Sequence, residues 1–138
     1  MIKMYSIYFD GGSRGNPGPS GSGYVVYGEN GFVQYGYKYL GENTNNYAEY
    51  TGLILALKSI SDKTKPLKIY GDSKLVVCQI KGEYKVKATN LISLHQQCME
   101  LLKDHIFEIK HIVRSQNATA DDLANKAMDT KQEFEYKN

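Results

Sequence analysis

The chain has no tryptophan, only two cysteines and three histidines, and no strong charge of either sign. It also lacks any apolar run long enough for a signal peptide or a membrane span, so it reads as a cytoplasmic protein with no membrane partner. Cys78 and Cys98 fall on apolar positions of expected helices and read as buried thiols in a reducing compartment. A zinc site would need more ligands at closer spacing. His95, His105 and His111 have no neighbours that would complete a Ser/His/Asp or Cys/His nucleophilic set. His95 and His111 instead read as packed residues of a helix face and a strand. A formal charge of +2 does not by itself declare a nucleic-acid partner, though it leaves room for a local basic face. No repeat or linker interrupts the 138 residues, which suit one compact domain over residues 1–128. The polar stretch 129–138 is expected to fray.

Within those limits the chain is patterned throughout. Residues 4–9 alternate, with Tyr5, Ile7 and Phe9 on one face, as a strand does. A Gly- and Pro-rich loop follows Asp10. Residues 22–27 and 32–40 read as two further strands joined at Asn30-Gly31, a hairpin signal, with Val33, Tyr35, Tyr37 and Tyr39 alternating along the second. Thr44 or Asn45 caps a helix to about residue 60, with Tyr50, Leu53, Ile54 and Leu57 facing inward. A short strand at 67–70 leads to Ser73, which can cap a helix over 74–80 ended by Gly82. Asn90 is placed as the cap of a longer helix to about residue 103. A fifth strand at 106–113 and a last helix at 118–128 complete the order β-β-β-α-β-α-α-β-α. This is an α/β chain with a mixed five-stranded sheet, helices on its faces, an antiparallel meander first and parallel crossovers after it.

Four acidic residues stand where elements begin or end. Asp10 closes the first strand, Asp72 follows the fourth, Glu49 lies near the start of its helix and Asp121 opens the last one. Taken singly, each has an ordinary reading as a turn residue or a helix N-terminal charge. Jointly they point to hard-cation chemistry, because ligand sites of open α/β sheets lie at the carboxyl ends of strands. Converging carboxylates need a cation between them, magnesium or manganese by ligand type. Two such ions, roughly 3.5–4 Å apart, clamp a phosphodiester without any protein nucleophile.

Four stretches in order, YFDGGSRGNPGPSGSGYV, NTNNYAEYTGLILAL, IYGDSKLVV and VRSQNATADDLANKA, resemble type 1 ribonuclease H along almost the whole chain. The resemblance implies the ribonuclease H-like fold. It also implies an endonuclease that hydrolyses the RNA strand of RNA–DNA hybrids with two Mg2+ ions, Mn2+ being able to substitute, and leaves 5′-phosphate and 3′-hydroxyl ends. The implied metal ligands are Asp10, Glu49, Asp72 and Asp121. Asp121 is selected over Asp122 because the family's Asp precedes an acidic or basic residue and then Leu-Ala. For the substrate, the resemblance points to Asn16 with the Gly11 and Gly12 backbone, to Asn45 and Asn46 as groove-reading amides, and to Thr44 and Lys74 as phosphate contacts.

Two departures separate this chain from many members. The Lys- and Trp-rich protrusion is reduced to KGEYKVKATN, with Lys81, Lys85 and Lys87, as in the protrusion-less branch of archaeal and some bacterial members. Weaker, more salt-dependent hybrid binding is expected. The mobile His before the last helix is missing, and Arg114 is the candidate at the leaving group or product phosphate. No separate N-terminal hybrid-binding domain, obligate protein partner or oligomer is expected. The competing readings keep the fold but act on double-stranded RNA or on RNA–DNA junctions, or bind nucleic acid without cutting it.

Overall fold

Alternation of buried Ile7 and Phe9 with half-buried Ser6 and Tyr8 makes β1, Tyr5–Ser13. The structure is a computed structural model that describes residues 4–137, with only the backbone described for residues 32 and 33. The side chain of Val33, one of the alternating residues, thus lies outside the described residues. β1 runs antiparallel to β2, Gly18–Gly28, and β2 to β3, Gly31–Asn43, so the meander is as expected. The chain continues through α1 (Asn45–Ser59), β4 (Leu67–Gly71), α2 (Lys74–Lys81), α3 (Thr89–Leu102), β5 (Phe107–His111), a 3-10 turn at Arg114–Gln116 and α4 (Ala118–Thr130). β4 lies parallel to β1, and β5 parallel to β4.

The sheet has six strands rather than five, in the order β5-β4-β1-β2-β3-β6. The sixth, β6, is Glu133–Lys137, part of the stretch expected to fray. Its sequence EFEYK alternates, which sets Tyr136 against Tyr35 and Phe134 against Tyr37 across the β3 pairing. Charged residues between those rings keep this edge strand exposed, a common protection of sheet edges.

Helix ends follow local chemistry. Thr44 caps α1 by accepting from Tyr47 N, Ser73 caps α2 by accepting from Val76 N, and Gly82 closes α2 in the left-handed conformation. α3 begins two residues earlier than expected and its N-cap position is Ala88, so Asn90 lies inside the first turn and does not cap the helix. The core between the sheet and α1–α3 buries Ile7, Phe9, Leu53, Leu67, Ile69 and Leu102 almost completely. Each such side chain contributes about 1.5–3 kcal/mol on burial. Cys78 and Cys98 are free and buried, and burial pushes the Cys98 thiol up to about 12. His95 is packed, with Nε2 3.2 Å from the Gln79 carbonyl and its ring edge-on to Tyr50. His111 departs from expectation: it is exposed at the end of the edge strand β5, with Nε2 3.2 Å from the Asp72 carbonyl oxygen. Among the described residues no helix is long and apolar enough to cross a membrane.

Candidate active site

The parallel register pairs Phe9 with Gly71, so Asp10 and Asp72, the next residues on one strand and just beyond the other, leave the sheet side by side. α1 supplies the third carboxylate. It can do so because Gly11 has no side chain: a Cβ there would lie 2.1 Å from the Ala48 carbonyl carbon and 2.4 Å from Glu49 N. At that close approach Gly11 N donates to Glu49 Oε1 at 2.8 Å. α4 closes in on the opposite face of the sheet, where a Cβ on Gly23 would lie 2.6 Å from Ala124 N. Gly23 is the β2 partner of Asp10, so α4 is held beside that carboxylate.

One ligand oxygen from each of Asp10, Glu49 and Asp72 falls within 4.8 Å of the others. Asp10 and Glu49 are both only 5% exposed. Burial, Asp72 and Asp121 push the Asp10 carboxyl up to about 6, although Glu49 and Gly11 N partly oppose the shift. Burial, followed by Asp10 and Asp72, drives Glu49 well above the usual carboxylate range. Glu49 Oε2 is buried without a hydrogen-bond partner. Crowded, desolvated carboxyls of this kind must take up either protons or a cation. The donor set is all hard oxygen, with an orphaned acceptor aimed into it, and fits a divalent magnesium-type ion.

Asp121 lies in the first turn of α4 and lines the same cleft, of about 430 Å3, as the three clustered acids. It stands beside the tight cluster, with Oδ1 3.4 Å from the Arg114 guanidinium and 3.4 Å from Asn125 Nδ2. Asp122 is exposed and is not among the lining residues. Gly11, Gly12, Asn45, Asn46 and Arg114 also line the cleft.

Asn16 and Asn45 are locked together. Asn16 Oδ1 accepts from Asn45 N at 3.0 Å, and Asn45 Oδ1 accepts from Ser13 N at 2.8 Å. Their oxygens are thus committed inside the protein, and their exposed amides keep NH2 groups to donate. Thr44 adjoins this pair as the α1 cap. Lys74 is exposed on the first residue of α2 and is not part of the cleft wall.

Two residues escaped the sequence reading. Arg14 lines the cleft and pairs with Asp129 at 2.5 Å. Asn117 is 1% exposed and donates from Nδ2 to Phe9 O at 2.9 Å and to Asp72 Oδ2 at 3.0 Å. An Asn just before a helix reads as a cap, yet here the side chain makes no cap bond. The one available cue was its place four residues before Asp121.

A family model described as reverse transcriptase-like matches residues 8–127. Ribonuclease HI of Halobacterium salinarum is 42% identical over 125 residues, covering 88% of this chain and 63% of that protein. Among solved structures, the N-terminal RNase H domain of Rv2228c from Mycobacterium tuberculosis superposes with a TM-score of 0.87 at 38% identity, covering 93% of this chain and 95% of that one. LC11-RNase H1 in complex with an RNA/DNA hybrid, an enzyme isolated from compost, gives 0.85 at 36% identity, with 92% and 98% covered. The chain spans less than two thirds of the curated relatives it first matches, down to 35% of the bifunctional mycobacterial protein.

Proposed function

The chain belongs to the type 1 ribonuclease H family, and from that premise we propose that it is an endonuclease hydrolysing the RNA strand of RNA–DNA hybrids. The observation that carries this reading is the convergence of Asp10, Glu49 and Asp72 within 4.8 Å at the sheet edge, with Asp121 in the same cleft. These four acids would hold two Mg2+ ions, or Mn2+ in their place. A bound pair supplies an activated water and charge stabilisation for the leaving 3′ oxygen, which yields 5′-phosphate and 3′-hydroxyl ends.

The chain's own residues do the rest. Gly11 N holds Glu49 by its Oε1, which fixes the deepest carboxylate at the strand end. Asn16 and Asn45 present amide donors beside the cleft, and Asn46 lines it. Donors at this place suit 2′-hydroxyls and base acceptors in the shallow minor groove of an RNA-containing duplex. The Gly11 and Gly12 backbone allows that groove to come close. Thr44 and Lys74 are assigned to the phosphate backbone. Arg114, whose side chain is 78% exposed and only loosely paired with Asp121, is assigned to the leaving group or product phosphate. The protein acts as a monomer, and its buried free thiols suit the cytoplasm.

The test offers labelled RNA–DNA hybrid, double-stranded RNA and double-stranded DNA with Mg2+ or Mn2+. The reading expects cutting of the RNA strand in the hybrid well above the other substrates. Preferred cutting of double-stranded RNA would replace it with the rival substrate, and tight binding of hybrid without cutting would make the chain a binding module.

A further inference from the structure

We propose that Asn117 is a positioning residue that sets the Asp72 carboxylate against β1 so that the cluster can accept a cation. This rests on the reading of the cluster as a divalent-cation site. Asn117 touches the supports of two of the three clustered acids, Asp10 and Asp72, and of Asp121 beside them. Its side-chain NH2 donates to Phe9 O, the carbonyl just before Asp10, and to Asp72 Oδ2. Its backbone carbonyl accepts from Asp121 N at 3.0 Å, and its N–H donates to Arg114 O at 2.9 Å. One residue therefore ties the strand that carries Asp10, the side chain of Asp72, the helix turn that carries Asp121 and the turn that carries Arg114.

The chemistry demands an amide. A carbonyl and a carboxylate are both pure acceptors, so the group between them must donate two protons from one end. Asp donates none when ionised, and Ser or Thr donates one. The orientation of the amide is set by the same argument, since turning it would aim Oδ1 at two acceptors. The consequence is visible: Oδ1 of Asn117 is buried without a partner. Leaving a buried acceptor unpaired is destabilising, a cost that a residue present only to cap α4 would not carry. With Oδ2 held by the amide, Asp72 keeps a fixed rotamer and offers its other oxygen to a cation. Outer groups of this kind orient ligands, and their loss costs about 10–100-fold in metal affinity or activity.

The test compares the wild type with Asn117→Ser and Asn117→Asp. Mg2+ and Mn2+ binding to the substrate-free proteins is followed by calorimetry, steady-state hybrid cleavage is measured in parallel, and thermal melting is recorded. Weakening of cation binding by about 10–100-fold is expected in both variants, with kcat reduced and KM for the hybrid within about twofold of wild type. In the wild type, the two side-chain amide protons of Asn117 should be distinct and slow to exchange in NMR spectra, and should shift when Mg2+ is added. The inference is overturned if Asn117→Ser lowers only the melting temperature while cation affinity and kcat stay within about twofold of wild type. An Asn117 amide that does not respond to Mg2+ overturns it as well, even if Asn117→Asp fails to fold. Should the wild type bind Mg2+ and the Asn117 variants bind it more weakly while every hybrid stays intact, the proposed activity fails and this assignment stands.

Discussion

Asp10 carries the largest consequence at the scale of single residues. Its carboxyl is pushed up to about 6, mainly by burial, from an ordinary value of 3.8. Between those two values the cation-free folded protein binds more protons than the unfolded chain. The associated stability is present in full below about pH 4 and is lost as pH rises through about 6. Asp10→Asn removes that charge at constant shape. In chelator at pH 7.5 the variant is expected to be more stable than wild type by on the order of 2 kcal/mol, and to lose the stabilisation by Mg2+ that wild type shows. Melting curves with and without Mg2+ at pH 4.5 and 7.5 check both signs; a wild-type melting point that rises with pH in chelator would contradict them. The four acids were legible in the sequence because each stands in Gly-, Asn- or Ser-rich local sequence and reads as an element end, although β1 runs on past Asp10 to Ser13. Asn117 was not, because a pre-helix Asn has an ordinary reading and its two acceptors lie 108 and 45 residues away in the chain.

Among the elements, the contact of β1 with α1 decides whether Glu49 reaches the cluster. Backbone, not a flexible side chain, lies in the path of a Cβ on Gly11, so Gly11→Ala must push α1 away from the strand. A cost of about 1–3 kcal/mol or more in stability is expected, together with loss of activity in the folded fraction. Denaturant melts and specific activity per folded molecule separate the two effects. β6 gives the opposite case. It pairs with β3 at the edge of the sheet, two strands beyond β2 and away from the cleft. Phe134→Ala is therefore expected to cost about 1 kcal/mol and to leave kcat unchanged. That strand was hidden in the sequence because its charges outweighed the alternation in EFEYK; its partners lie on β3, in the backbone pairing and in the rings of Tyr35 and Tyr37. The other strands and helices α1 to α4 were legible from their apolar periods, and the caps of α1 and α2 agree with the tertiary packing while the expected cap of α3 does not.

The whole molecule combines an acidic cleft with little overall positive charge. Net charge is only +2, there is no tryptophan, and exposed Lys81 ends α2 while exposed Lys85 and Lys87 lie on the short connection to α3. With few lysines there to meet phosphate the salt dependence is expected to be shallow, so KM for hybrid should be high already at about 50 mM salt and rise only modestly by about 200 mM while kcat changes little. Steady-state kinetics across that range check it, and a steep rise in KM would point to unrecognised phosphate contacts. In the sequence the parallel pairing of β1 with β4 was only a condition for bringing their acids together; the structure pairs them in parallel, and this pairing brings Asp10 beside Asp72. The central claim is that those acids cut RNA in a hybrid with the help of a divalent cation. The most direct measurement incubates an end-labelled RNA–DNA hybrid with wild type and with Asp10→Asn, in Mg2+ and in chelator, and identifies the ends formed. Wild type in Mg2+ should cut the RNA strand to 5′-phosphate products, with no cutting in chelator or by the variant. Intact hybrid under wild type, or full activity in Asp10→Asn, would contradict the account.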